Sequence, residues 1–157
     1  NETEGMAETP IVGGGLTDRD RAAILFANDA FYAAFSAKDI DQMTALWAEA
    51  ESVGCIHPGW PPLHGRDTVL ESWRRILGNP DTPVAGARAP RIVPQGPDGA
   101  AVICYEDLGG QMLIATNSFV REGDKATGGV WRLCHHHASA VPPPGELPEE
   151  AASQGMQ

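Results

Sequence analysis

From residue 17 to residue 37, apolar positions recur every three to four residues. Ile24, Leu25, Phe31, Tyr32 and Phe35 fall on one helical face, with Asn28 as its polar member. Thr17 supplies an N-cap, and Asp18 and Asp20 occupy the first turn, where the positive end of the helix dipole favours carboxylates. A second, short helix begins at Asp39 and turns Ile40, Met43, Leu46 and Trp47 inward. Residues 52–57 then read as a strand, and Pro58-Gly59 and Pro61-Pro62 exclude a regular element from the loop that follows. A third helix is predicted from about residue 67 to residue 77, with Val69, Leu70, Trp73, Ile76 and Leu77 inward and Gly78 as its C′ residue.

Beyond Gly78 the period changes to two. Residues 91–93, 101–108, 111–121 and 130–141 read as strands, joined through Pro97-Asp98-Gly99, Gly109-Gly110 and Gly123-Asp124. Three helices followed by a mostly antiparallel meander is an α+β order, with a curved sheet wrapped on its concave face by the helices. If Gly109-Gly110 is a two-residue hairpin loop, Leu108 pairs with Gln111 and Glu106 with Leu113. Alternation then places Val102, Cys104, Glu106, Leu113, Ala115, Asn117 and Phe119 on one face. Ile103, Tyr105, Met112, Ile114 and Thr116 lie on the other. Both faces are apolar enough to be covered, one by helices and the other by a partner subunit. Glu106 and Asn117 are the strong polar groups of the first face, and therefore candidates for a pocket.

The length, 157 residues, suits one domain. A formal charge of -10 argues against a partner that is nucleic acid or an anionic membrane surface. No apolar run approaches the ~20 residues of a spanning helix. Cys55, Cys104 and Cys134 are an odd number without a CxxC pair, which predicts reduced core thiols in a cytoplasmic protein. Residues 1–16 carry no secretion signal and read as a disordered or tag-derived arm; residues 17–142 form the domain. Residues 143–157, rich in Pro, Glu and Ala, read as a mobile tail.

The stretch from Trp131 to Ser139 holds three consecutive histidines. Strict alternation puts His135 and His137 with Trp131, Leu133 and Ser139, and His136 with Arg132, Cys134 and Ala138. A metal reading would combine His135 and His137 with His57 or His64, but no HExxH or CxxC supports it, so neither metal nor cofactor is expected. The alternative is that these rings are buried and bonded to Ser139 and backbone. Cys104, His136 and Glu106 could be drawn as a nucleophilic set, although nothing marks the thiol as activated. Gly13-Gly14-Gly15 follows no strand and lacks a P-loop Lys. The loop from Cys55 to Gly65 sets His57 and Trp60 beside a rigid proline turn at the mouth between sheet and third helix. Trp60 there either contacts a ligand or plugs the end of the core.

Taken in order, these segments resemble the nuclear transport factor 2-like superfamily, particularly its SnoaL-like members. The run from Phe31 to Asp41 resembles the family's helix-Asp-helix opening. Cys55-Ile56-His57-Pro58 and Leu63-His64-Gly65-Arg66 are similar to its first strand and return, and 115–121 and 131–139 to its last two strands. The resemblance covers residues 17–142. It implies a cone-shaped α+β barrel enclosing a pocket, dimeric through the outer sheet face. In ketosteroid isomerase-like members the base is an acid just before a proline of the first strand, a position held here by His57. The tyrosine oxyanion donor of their first helix corresponds to Phe31, so the resemblance implies loss of that phenol. The basic pocket residues of kinase association domains correspond to Asn117 and Ala138, and the latter favours His136 as the pocket histidine.

Three functions compete on this reading. The first is acid/base chemistry on a small apolar carbonyl compound, with His57 as base, Glu106 or His136 as acid partner and Asn117 orienting the substrate. The second is a binding module in which Trp60, Trp73 and Phe119 supply contact area, while Asn117 and Glu106 fix orientation. Asn28, facing the same cavity, belongs with them. The third is an assembly domain whose outer sheet face matters.

Overall fold

The computed structural model describes residues 15–50, 52–142 and 144–145. Most of the arm and tail expected from the sequence lies outside the described residues. Leu16, assigned to the arm, is fully buried, so the packed region begins before Thr17.

Helix α1 (Asp18–Ala37) starts in a capping box, with the Thr17 hydroxyl accepting from the Asp20 backbone and the Asp20 carboxylate from the Thr17 backbone. It stops at Lys38, whose left-handed backbone lets its N–H reach the carbonyls of Ala34 and Phe35. Helix α2 (Ile40–Leu46) is capped by Asp39 and buries Met43, with Trp47 fully buried just beyond it. Helix α3 (Arg66–Leu77) buries Val69, Leu70, Ser72, Trp73 and Leu77. Gly78 does not take the left-handed C′ conformation expected of it; its φ is -77°. A side chain is excluded there by space instead, since a Cβ would lie 2.9 Å from the Arg74 carbonyl.

The strands are β1 (Gly54–Ile56), β2 (Leu63–His64), β3 (Ala85–Pro94), β4 (Gly99–Leu108), β5 (Gln111–Glu122) and β6 (Val130–Ala140). They form one sheet in the order β2-β1-β6-β5-β4-β3, antiparallel except where β1 runs parallel to β6. β2 and β3 are free edges, so the barrel implied by the resemblance is an open sheet. Two features differ from the sequence expectation. The proline-rich loop returns through the two-residue β2, possible because Pro62 precedes it and it pairs on one side only. β3 begins six residues earlier than the segment 91–93, and its bulge between Arg88 and Arg91 absorbs Ala89, at φ 53°, and Pro90.

The Gly109-Gly110 loop has both residues at positive φ, as a tight hairpin requires, and pairs Leu108 with Gln111 and Glu106 with Leu113 as expected. Val102, Cys104, Glu106, Leu113, Ala115, Asn117 and Phe119 are all buried beneath the helices. On the opposite face Ile103 is 40% exposed, while Tyr105, Met112, Ile114 and Thr116 are half-buried. At one end, Arg121 fastens β5 to the start of α1. Its guanidinium donates to Asp20 Oδ1 and Oδ2 at 2.9 and 3.0 Å, to Asp98 Oδ1 at 2.9 Å and to the Pro97 and Gly128 carbonyls, with its Cζ 4.6 Å from the Trp131 ring centre. Burial alone would raise the Asp20 carboxyl, but hydrogen bonds from Arg121 and Thr17 hold it below its ordinary value.

Candidate functional site

The last strand holds the largest departure from simple alternation. Phe119 pairs with Leu133 but Ser118 with His135, so Cys134 is an extra residue in a bulge. Trp131 and Leu133 lie on the inner face before the bulge, and His136 and Ala138 after it. The grouping of His135 and His137 with Trp131 and Leu133 is therefore overturned, and His136 is the inward ring, at 2% exposure. His135 and His137 lie on the outer face, 6.4 Å apart between ring centres. His57, 3% exposed, lies inside, and among the described residues His135 and His137 form no metal-holding group with either His57 or His64. Ser139 is exposed and is not the partner of His136.

That partner is Asn117. Its Nδ2 donates to Asn28 Oδ1 at 2.9 Å and to the Tyr32 hydroxyl at 3.1 Å, and Tyr32 donates to Glu106 Oε1 at 2.8 Å. The remaining amide oxygen faces His136 Nδ1 at 2.6 Å and can only accept, so this nitrogen carries the ring proton and Nε2 the lone pair. A second bonded set surrounds His57. The one hydroxyl proton of Ser72 goes to the Val69 carbonyl at 2.6 Å, so His57 Nε2 donates to Ser72 Oγ at 2.9 Å. Its lone pair is then on Nδ1, 3.9 Å from the Cys55 thiol.

Aromatic rings wall the two imidazoles. Trp73 stands edge-on to His57 at 4.8 Å and to Phe31 at 5.5 Å, and Phe31 lies 5.0 Å from His136. The imidazole centres are 6.4 Å apart. Trp60, 36% exposed, covers His57 at 4.8 Å from outside. A cleft of about 350 Å³ opens here, lined by Trp60, Leu63, Asp67, Ser72 and neighbours. Larger clefts of about 410 and 460 Å³ follow α1 and the β3–β4 edge and touch none of the candidate residues. Phe119 pairs with Ala100 and Leu133 in the core, at the far end of the face from Glu106.

Low dielectric sets the charges. Burial lowers His57 to about 4 and, with help from His57, His135 and His137, lowers His136 to about 3. Both rings are neutral. Burial also raises the Glu106 carboxyl, against the pull of the Tyr32 bond, and lifts the Tyr32 phenol well above its ordinary value. Cys55 is pushed up to about 12 and Cys104 to about 11, so these thiols are protonated and poor nucleophiles. The nucleophilic reading of Cys104 loses its basis. Among the described residues, no three His, Cys, Asp or Glu side chains form a group able to hold a metal ion. Among the described residues, the buried donors Asn28 Nδ2 and Trp73 Nε1 find no oxygen or nitrogen acceptor.

Of the expected residues, Glu106, Asn117, Asn28 and His136 form one bonded group, and His57, Trp73 and Trp60 a neighbouring one. Tyr32 and Ser72 were not among them. Beside Phe31, where the resemblance implies no phenol, the Tyr32 hydroxyl bonds Glu106 and Asn117. Its signal was its position four residues after Asn28, on the same helical face. Ser72, buried beside Trp73, had no comparable signal.

Three helices covering one face of an open six-stranded sheet, with a polar group at their interface, define a fold of the nuclear transport factor 2-like or cystatin-like kind. The sequence model of the SnoaL-like domain matches residues 24–144, and the chain belongs to that family. It is similar to a candidate dehydratase of the NTF2-like family from Streptomyces avermitilis, at 36% identity and a TM-score of 0.68, covering 80% of this chain and 99% of the other. A candidate calcium/calmodulin-dependent protein kinase type II association domain from Thiobacillus denitrificans is 34% identical, with a TM-score of 0.62, over 74% and 93% of the two chains. The F-box protein SKIP8 of Arabidopsis thaliana is 24% identical over 136 residues; the match takes in 85% of this chain and 56% of that protein's length. Among the described residues, no helix is long and apolar enough to cross a membrane.

Proposed function

We propose that the inner face between the helices and the sheet binds a small apolar carbonyl compound and performs acid/base chemistry on it, of the isomerase, cyclase or dehydratase type. One observation carries this reading: a buried carboxyl, a phenol and two neutral, hydrogen-bonded imidazoles lie together between the helices and the sheet. A neutral imidazole with a held lone pair is suited to take a proton from carbon beside a carbonyl. His57 acts as the base, Glu106 or His136 returns the proton, and Asn117 orients the substrate. Substrate reaches an internal pocket past Trp60, with Trp73 as a wall. The likeness to a candidate dehydratase supports this, since loss of water beside a carbonyl needs one group to remove a proton and another to protonate the leaving hydroxyl. The free thiols of Cys55, Cys104 and Cys134 fit a reducing, cytoplasmic location.

A thermal-shift screen against steroids, polyketide-like aromatics and small carboxylic acids would supply a compound. His57→Ala and Glu106→Gln should then each lower its turnover by ~10²-fold or more. Unchanged turnover in both variants refutes the mechanism.

The second reading, a non-catalytic binding or assembly module, draws support from the likeness to a kinase association domain and from the half-exposed outer sheet face. On it, Ile103, Tyr105, Met112 and Ile114 pair two copies into a homodimer. A ligand recovered unaltered after long incubation favours binding alone, and a strict monomer at high concentration in light scattering argues against assembly.

A further inference from the structure

The hydrogen bonds joining Glu106, Tyr32, Asn117 and His136 have a direction. His136 Nδ1 donates to Asn117, Asn117 to Tyr32, and Tyr32 to Glu106. In this direction Glu106 need only accept, and Asn28 Nδ2 is buried with no partner better than the Cys104 thiol.

The same atoms permit the reverse. A protonated Glu106 donates to Tyr32, and Tyr32 donates to Asn117 Oδ1. The carboxamides of Asn28 and Asn117 each turn by half a revolution, exchanging the places of N and O. Asn28 Nδ2 then donates to Asn117 Oδ1, a stronger acceptor than the Cys104 thiol, and Asn117 Nδ2 donates to His136 Nδ1. The ring proton sits on Nε2. Distances of 2.6 to 3.1 Å along the line suit either direction.

We propose that Tyr32 and Asn117 are positioning residues that tie the tautomer of His136 to the protonation of Glu106. With Glu106 ionised, the ring proton stays on Nδ1 and Nε2 is a base; with Glu106 protonated, Nε2 carries the proton and becomes a donor. In passing to the second state Glu106 takes one proton from solvent. His136 releases the proton on Nδ1 and takes one on Nε2, so the ring stays neutral, and no proton passes through an amide. The coupling deepens the acid/base reading of this site and rests on it only for its use in catalysis.

The groups around these two residues leave Glu106 to titrate first on acidification. It faces Tyr32 from α1, and its charge acts on Cys104 of its own strand and Cys55 of β1, all three protonated through the neutral range. Asp29 of α1 acts on Cys104 from further off. His136 feels His57, neutral down to about pH 4, and its strand neighbours His135 and His137 on the outer face.

The test is a long-range ¹H–¹⁵N spectrum of the imidazole rings, with the Glu106 carboxyl carbon followed in parallel, on the ligand-free protein from pH 8 downward. His136 should switch from protonated Nδ1 to protonated Nε2 at the midpoint of the Glu106 carboxyl. In Tyr32→Phe the carboxyl should still titrate while His136 ceases to follow it. In Glu106→Gln the switch at that midpoint should vanish. A single His136 tautomer throughout the Glu106 transition overturns the proposal, as does undiminished coupling in Tyr32→Phe; if that variant does not fold, a switch persisting in Glu106→Gln overturns it. No substrate is involved, so this result and the turnover test of the acid/base reading fail independently.

Discussion

Removing the Asn117 carboxamide leaves two buried partners without it, Asn28 Oδ1 and the proton on His136 Nδ1. An orphaned buried group costs ~1–3 kcal/mol, so Asn117→Ala should destabilise by about 2–6 kcal/mol. Tyr32 retains its bond to Glu106 and adds little. Once Asn28 is already alanine, the same substitution orphans only His136 and should cost ~1–3 kcal/mol. The double-mutant cycle Asn28→Ala/Asn117→Ala should therefore show a coupling of about 1–3 kcal/mol, the double variant being less damaged than the two singles summed. Urea unfolding of all four proteins at pH 7, with the slope checked for constancy, measures it. A coupling under ~0.5 kcal/mol would mean that the amide–amide bond carries no weight, and the account of the site as one connected network would fall.

Arg121→Ala leaves the Asp20 carboxylate buried and unpaired; it should cost about 3 kcal/mol and lower Tm by ~6–12 °C. Because the folded Asp20 carboxyl is held below its ordinary value, that stabilisation is present above it and is lost as pH falls through the folded value, so the deficit should shrink in acid. A Tm deficit that is small at pH 7, or unchanged in acid, contradicts this. Burial lowers His57 as well, but for a base this opposes the charged form: it takes up a proton near pH 6.5 when unfolded and near 4 when folded. Stability should be full above pH 6.5 and fall by about 3 kcal/mol toward pH 4 on this account alone, and the His57 ring resonances should not titrate between pH 8 and 5.

The three helices and the β4–β5 register were legible because each rests on a local signal: a cap, a period or a two-glycine turn. That Glu106 and Asn117 share the inner face followed from that register, and Asn28 from its place on an apolar helical face. What alternation could not supply was the extra residue at Cys134, because nothing in Trp131-Arg132-Leu133-Cys134-His135 announces a bulge. That residue reverses which histidines face inward, and only the family resemblance pointed to His136. Tyr32 stands on the same helical face as Asn28 in the sequence, but the partners its hydroxyl finds, Glu106 and Asn117, depend on how the helix sits against the sheet. Glycine at 78 was expected on grounds of φ and is required on grounds of space, a distinction that needs the preceding turn in place.

The parallel pairing of β1 with β6 joins Gly54 to His135, about 80 residues apart in the chain. On the ribosome, His57 is therefore made long before the strand that completes its surroundings. Until β6 has left the exit tunnel, its imidazole has Ser72, Trp60 and Trp73 beside it but lacks the strand that brings His136. The pairing that brings the two imidazoles together therefore forms only once β6 has emerged. A nascent chain stalled before that point should offer chaperones the apolar undersides of β4 and β5.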